Sequence, residues 1–233
     1  MEIIARIHTD FTSKFGIPRQ SGLVPSLRGT IVFEPEYRNV DALRGLEGFS
    51  HIWLIWQFSE ARRTTWSPTV RPPRLGGDKR MGVFATRSPF RPNGIGLSSV
   101  ELLHIEPQTD QGPVLHVGGV DLLDNTPLYD IKPYLAYTDS HPQATAGFVD
   151  EVEKEALQVD FPQHFLAMIP PALHQALLGI LAQDPRPRYQ EDPARVYGLG
   201  FADFNIQFTV RDDRLRVCAV GPEPPPASSK ERP

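Results

Sequence analysis

The chain has 233 residues, 40% of them hydrophobic and 22% charged, enough for one large domain or a domain with a smaller appendage. Its 24 Pro and 18 Gly, together about 18% of the residues, leave little room for long helices and disfavour a fibrous or helical-bundle architecture. A net charge of -4 argues against indiscriminate polyanion binding, and the single Cys218 excludes an internal disulfide and a cysteine-type zinc site; we expect it to be a small core residue. No apolar run reaches the roughly 18 residues of a membrane span, and Met1 to Asp10 lacks a signal-peptide core, so a soluble, cytoplasmic protein without a membrane partner is expected.

Ile3, Ala5 and Ile7 alternate with polar neighbours and predict a first strand with one buried face. The following loop, Asp10 to Ser26, carries Gly16, Pro18, Gly22 and Pro25 together with Phe11, Phe15 and Ile17. Those apolar side chains imply that the loop is ordered against another part of the protein. Leu27 to Phe33 predicts a second strand, and Val40, Leu43 and Leu46 predict one or two helical turns. Ser50 to Phe58 (SHIWLIWQF) reads as a central strand covered on both faces. Met81 to Thr86, Ile95 to Ile105 and Val114 to Leu123 are further strand-like runs. Many short strands without intervening amphipathic helices predict a mainly β fold, an antiparallel closed or sandwich-like sheet.

Composition shifts near residue 140, where a smaller α+β C-terminal domain (141–221) is expected to begin after an N-terminal β domain (1–140). Gly147 to Leu157 and Pro170 to Gln183 carry its helix patterns, the second opened by prolines suited to a first turn. Phe204 to Val210 and Leu215 to Ala219 alternate on either side of Asp212-Asp213 and predict a hairpin. Residues 222–233 (PEPPPASSKERP begins at Pro222) have nothing to bury and predict a disordered tail.

The average charge hides an asymmetry. Glu60 to Gly94 holds eight Arg and Lys against two acids, a net +6 that leaves -10 for the remainder. Such a block can contact phosphates, or can be a solvated loop paired with acids elsewhere. The histidines at 8, 51, 104, 116, 141, 164 and 174 show no spacing that puts two ligands on one element, so no structural metal is expected. Acyl-transfer and phosphoryl-transfer signatures are absent.

Three segments carry more chemistry than turning requires: SKFGIPRQ from Ser13, GVFATRSPFRPN from Gly82, and DLLDNTPLYDIKPY from Asp121. In the second, Pro89 and Pro92 pre-order Phe90 and Arg91, an aromatic ring and a guanidinium suited to stacking on a base. In the third, Asp121 and Asp124 flank an apolar pair, and Asp130 and Lys132 share a strand face. Paired acids of this kind suit a ribose, an amine or a metal, or simply cap turns.

Taken together with GFSHIWLIWQF, these segments resemble the TsaA-like (TrmO) family of tRNA adenosine N6-methyltransferases, in order and in spacing, and DPRPRY with the YGLGFADFN run resembles that family's smaller C-terminal domain. The resemblance implies a small β-barrel that binds S-adenosylmethionine without a Rossmann fold, acts as a homodimer, and methylates N6 of threonylcarbamoyladenosine at position 37 of tRNA. Donor-binding positions carried over are Pro18, Arg19, Gln20, Ser59, Glu60, Arg87, Leu97, Asp121, Leu122, Leu123 and Asp124. The chain departs from the usual His at Ser59, Pro at Gly94 and Gly at Asn125. Methyl transfer from a sulfonium needs positioning more than covalent help, and the acceptor's ureido-type N–H needs an oxygen to take its proton: Asp121, Asp124, Asp130 or a backbone carbonyl. Arg87 would hold the donor's carboxylate or an RNA phosphate. Arg62, Arg63, Arg71, Arg74, Arg91, Arg186 and Arg188 are the residues expected to grip the anticodon stem and loop, with Phe90 or Tyr189 stacking. Two other readings are a non-catalytic RNA-binding barrel and a methyltransferase with a different substrate.

Overall fold

The structure is a computed structural model and describes residues 1–60, 65–72, 79–150, 156–186 and 192–224. Six strands close an antiparallel barrel: β1 (Ala5–Thr9), β2 (Arg28–Phe33), β3 (His51–Gln57), β6 (Ile95–Glu106), β7 (Val114–Gly118) and β8 (Thr126–Pro133), in the circular order β1-β2-β7-β6-β3-β8. Alternation does the sorting. Ile7 on β1, Ile31 on β2, Ile52 and Leu54 on β3, Val100 on β6 and Leu115 on β7 are almost wholly buried inside. The mainly β architecture expected from the strand pattern is the one observed.

The outer face of β3 departs from the expectation. Trp53 and Ile55 are only half-buried, because their cover is slight. Trp53 meets Tyr134 at 5.5 Å between ring centroids and donates its indole N–H to Asp139 Oδ2 at 2.9 Å, at the end of the short helix α1 (Ala136–Asp139). Three other predicted elements also shorten. Val40–Leu43 and Leu46–Gly48 form separate 3-10 turns, the second entered through Gly45. Met81–Gly82 is β5, paired only with β4 (Thr69–Val70), and the chain then turns at Val83–Ala85. The run from Val114 ends as a strand at Gly118, where Gly119 takes a positive φ of 70°.

The C-terminal lobe is a four-stranded sheet, β10 (Tyr197–Phe201), β11 (Phe204–Arg211), β12 (Arg214–Pro222) and the parallel edge strand β9 (Gln158–Asp160). After the one-turn α2 (Gln163–Leu166), helix α3 (Pro171–Ala182) buries Leu177, Ile180 and Leu181 in the core it shares with Leu199, Phe208 and Leu215. Of the helix predicted over 147–157, a 3-10 turn at Gly147–Val149 is seen, and residues 151–155 lie outside the described residues. The predicted tail likewise lies outside them from residue 225 onward. Cys218, expected inside, is exposed: Leu215 and Val217 are the buried residues of β12, so alternation itself turns Cys218 outward, at the point where the β11–β12 register slips.

The apolar loop between β1 and β2 binds the two lobes together. Phe11 packs edge-on against Phe201 at 5.7 Å, Phe15 stacks on Phe208 at 6.5 Å, and Asp10 O accepts the Ala202 N–H at 2.8 Å. Gly16 sits at φ +90° with no room for a side chain, since a Cβ there would overlap Leu199. Barrel and C-terminal sheet consequently share one hydrophobic core.

Candidate active site

The docked loop leaves its residues 14–20 standing over one wall of the barrel, and a cleft of about 490 Å³ opens between them, within the range of roughly 300–1,000 Å³ usual for small-molecule sites. Its floor is β3 and β6. Gly96, opposite Trp56 in the β3–β6 register, has no space for a Cβ because the indole lies across it. Trp56 also packs against Phe58 at 4.3 Å between centroids, and Trp53, Ile95, Leu97 and Leu123 extend the apolar surface. Lys14, Arg19, Arg87 and Arg91 supply cations around it, against the carboxylates of Glu60 and Asp121.

Asp121 anchors the polar end of this floor. Ser98, 1% exposed, donates its hydroxyl to Asp121 Oδ1 at 2.6 Å and accepts the Trp56 indole N–H at 3.0 Å. Desolvation by burial pushes the Asp121 carboxyl up from 3.8 to about 6, outweighing the hydrogen bonds from Ser98 and from the backbone of Asp121 and Ser21 and the charge of Arg87, all of which pull it down. A carboxylate that is largely ionised at neutral pH and more basic than usual is suited to accept a proton.

The rim is cross-tied. Lys14 Nζ donates to Glu60 O at 2.6 Å and lies 3.4 Å from Glu60 Oε2, closing the loop onto the end of β3 beside Ser59. Arg87 donates to the Gln20 side chain, and Gln20 in turn donates to the Arg19 carbonyl. Arg91, inside the basic segment, acts on the segment itself: it donates to the carbonyls of Thr86 (2.6 Å) and Val83 (3.2 Å) and lies 5.6 Å from the Phe84 ring centroid. Phe84 itself is 71% exposed and faces the half-exposed Trp66 at 6.2 Å between centroids.

The sequence-predicted residues divide accordingly. Pro18, Arg19, Gln20, Ser59, Glu60, Arg87, Leu97, Asp121 and Leu123 line the cleft, as does Arg91. Leu122 is 1% exposed in the core. Asp124 turns away to accept the Thr9 N–H at 3.1 Å and to meet His8 Nδ1 at 3.3 Å, pinning the 121–125 turn to β1. Asp130 pairs with Lys132 at 2.8 Å on β8 and lines a separate groove with Tyr37 and Phe49. Arg186 forms a two-pronged pair with Asp184 at 2.9 and 3.0 Å in the C-terminal lobe, and Arg71 is exposed beyond β4. Phe90 is half-buried. Arg62, Arg63, Arg74, Arg188 and Tyr189 lie outside the described residues. Sequence reasoning missed Ser98, Trp56, Trp66 and Phe84. A serine inside an apolar strand carries no signal until its partner Asp121, 23 residues away, is known.

Comparison with known proteins finds two family models side by side. The tRNA-methyltransferase O N-terminal domain matches residues 6–140 and the TrmO C-terminal domain matches residues 154–223. A tRNA (adenine(37)-N6)-methyltransferase of Escherichia coli K12 is 42% identical over 229 residues, covering 95% of this chain and 97% of that protein. A putative S-adenosylmethionine-dependent methyltransferase, RcsF, of Pseudomonas aeruginosa is 41% identical, covering 93% of this chain and 95% of its own length. A crystal structure of TrmO from P. aeruginosa superposes with a TM-score of 0.74 at 36% identity, with 95% of each chain covered.

Proposed function

The chain belongs to the tRNA-methyltransferase O family, and from that premise we propose that it methylates N6 of adenosine 37 in tRNA, with the threonylcarbamoylated nucleoside as acceptor and S-adenosylmethionine as donor. The observation that carries the proposal is Asp121, a carboxylate held by Ser98 at 2.6 Å and lifted to about 6 in a cleft of ligand size.

The cleft suits the donor in kind. Trp56, Phe58, Ile95 and Leu97 offer the apolar and aromatic surface a purine requires, and Arg87 and Arg19 match an amino-acid carboxylate. Asp121 provides negative charge on the floor, where a cationic sulfur is favoured. When bound, S-adenosylmethionine supplies a methyl group already activated by its sulfonium. The chain's own residues then have two tasks, orientation and proton removal. The N6 nitrogen of a threonylcarbamoylated adenosine has its lone pair delocalised into the ureido carbonyl, so it becomes nucleophilic only as its proton leaves. Asp121 accepts that proton. Trp56 fixes the Ser98 oxygen, and the Ser98 hydroxyl holds the carboxylate in place.

For tRNA, the exposed Trp66 and Phe84 rings and Arg71 and Arg80 lie in or beside the basic segment next to the cleft and form the surface for anticodon-loop bases and phosphates. Arg91 holds the 83–91 turn rather than reaching outward. The active unit is a homodimer, a reading supported by the resemblance to the family. Among the described residues no helix is long and apolar enough to cross a membrane, and we place the enzyme in the cytoplasm with its tRNA.

The test incubates purified protein and donor with an unmodified tRNA transcript and with the same tRNA carrying threonylcarbamoyladenosine, then digests both for nucleoside mass spectrometry. The methylated threonylcarbamoyl nucleoside is expected from the second alone. Methylation of plain adenosine 37 would overturn the acceptor assignment, and no methylation of either would overturn the activity.

A further inference from the structure

On the outer wall of the barrel, away from the cleft lining, β6 and β7 bring together two imidazoles and a carboxylate. His104 and His116 stand directly opposite one another in the β6–β7 register, with rings nearly parallel at 10° and 4.1 Å between centroids. Glu106 follows His104 by two residues and therefore shares its face; its Oε2 lies 3.3 Å from His116 Nε2. A β-bulge creates the cluster. The pairing passes from Leu102↔Val117 to His104↔His116, so Leu103 is an extra residue. Without it, strict alternation from the buried Leu102 would turn His104 into the barrel and set Leu103 opposite His116.

One donor atom from each of these residues lies within 4.8 Å of the other two. In a tetrahedral zinc site with bonds of about 2.0–2.1 Å, neighbouring donors are about 3.4 Å apart. The Glu106–His116 separation already matches such an edge. His104 and Glu106 are exposed, so a side-chain rotation of His104 closes the other two edges without moving the backbone. Two stacked imidazoles gain little from each other when neutral and repel when protonated, whereas a cation shared between them and Glu106 turns the arrangement into an attraction. We propose that His104, Glu106 and His116 bind one divalent transition cation, zinc, with water in the fourth position, and that the ion pins the β6–β7 hairpin. The mixed nitrogen and oxygen donor set favours zinc over magnesium or calcium. The spacing of the histidines in sequence gives no hint of this site, because its two imidazoles come from different strands.

The test uses the full chain, free of any histidine tag and stripped with a chelator. Zinc is titrated calorimetrically and cobalt(II) is added as a spectroscopic probe of coordination. One ion per chain is expected, with visible cobalt bands of a four-coordinate site and a zinc-dependent rise in Tm. The double variant His104→Ala/His116→Ala is expected to bind none at this stoichiometry and to lose the zinc-dependent rise, while still melting cooperatively without metal, because His104 is exposed and His116 half-buried on the outer face. Glu106→Gln is expected to weaken binding at least about tenfold. Absence of uptake by the wild type, or equal uptake by the double variant, overturns the proposal.

Discussion

Replacing Asp121 with Asn separates the two consequences of a buried carboxylate. In the wild type the folded protein holds the Asp121 proton more tightly than the unfolded chain does, about 6 against 3.8. The stability this contributes is fully present below about pH 4 and is lost as pH rises through about 6, so at pH 8 the ionised group costs about 2–3 kcal/mol relative to the unfolded state. An amide of the same shape still accepts the Ser98 hydroxyl and carries no charge to desolvate. Asp121→Asn is therefore expected to be more stable than wild type at pH 8 by up to that amount, a Tm rise of about 5–10 °C for a chain of this size, and to match wild type near pH 4. Methyl transfer, followed by single-turnover nucleoside mass spectrometry, is expected to fall by about 10²–10⁴ because the proton acceptor is gone. The wild-type rate should rise with pH to a plateau, with a midpoint near 6 in the donor-free limit. A variant that keeps wild-type turnover would remove Asp121 as the proton acceptor, and one that is less stable at pH 8 than at pH 4 relative to wild type would show that its carboxylate is not destabilised by burial.

Ser98→Ala removes a donor from Asp121 and strands the Trp56 indole N–H. The pH midpoint of methyl transfer should move upward and stability should drop by about 1–3 kcal/mol, checked by a pH–rate profile and a urea melt. Gly16→Ala forces a side chain onto Leu199 at a positive φ, so residues 14–20 should lift from the C-terminal lobe; equilibrium titration should show weaker donor binding, with a lowered Tm. Trp66→Ala with Phe84→Ala removes two exposed rings that touch neither the barrel core nor Asp121. Fluorescence anisotropy should show tRNA affinity reduced by roughly tenfold or more, at about 1–3 kcal/mol per stacked base, with donor affinity unchanged.

What the sequence disclosed was whatever alternation and composition encode directly. The alternation of Ala5 and Ile7 places them correctly inside the barrel, whereas SHIWLIWQF, apolar almost throughout, marks a core strand but not that Ile52 and Leu54 would face inward with Trp53 and Ile55 half-buried outside. Phe11 and Phe15 mark a loop that must pack on something, and they meet Phe201 and Phe208 across the lobes. Hidden from it were features set by register. A one-residue bulge turns His104 toward His116 on β6, because an unpaired residue reverses every face that alternation would assign beyond it, whereas Cys218 lies outward on β12 simply by alternation from Leu215 and Val217. Motif identity also could not rank the acids of DLLDNTPLYD. Asp121, Asp124 and Asp130 are equivalent as letters, but only Asp121 faces the cleft and has Ser98 beneath it. Trp66 and Phe84 sit in a run of Arg and Pro without periodicity, so nothing foretold that they would be exposed side by side.

In the proposed reaction the methyl donor lies between residues 14–20 and the β3–β6 floor, with its reactive sulfur toward Asp121. A crystal structure of the protein with S-adenosylhomocysteine decides this placement. The purine is expected against Trp56 and Leu97, the amino-acid carboxylate at Arg87 or Arg19, and the sulfur facing the Asp121 carboxylate. Density for the ligand elsewhere on the protein, with this cleft holding only solvent, would show that the donor site is not here.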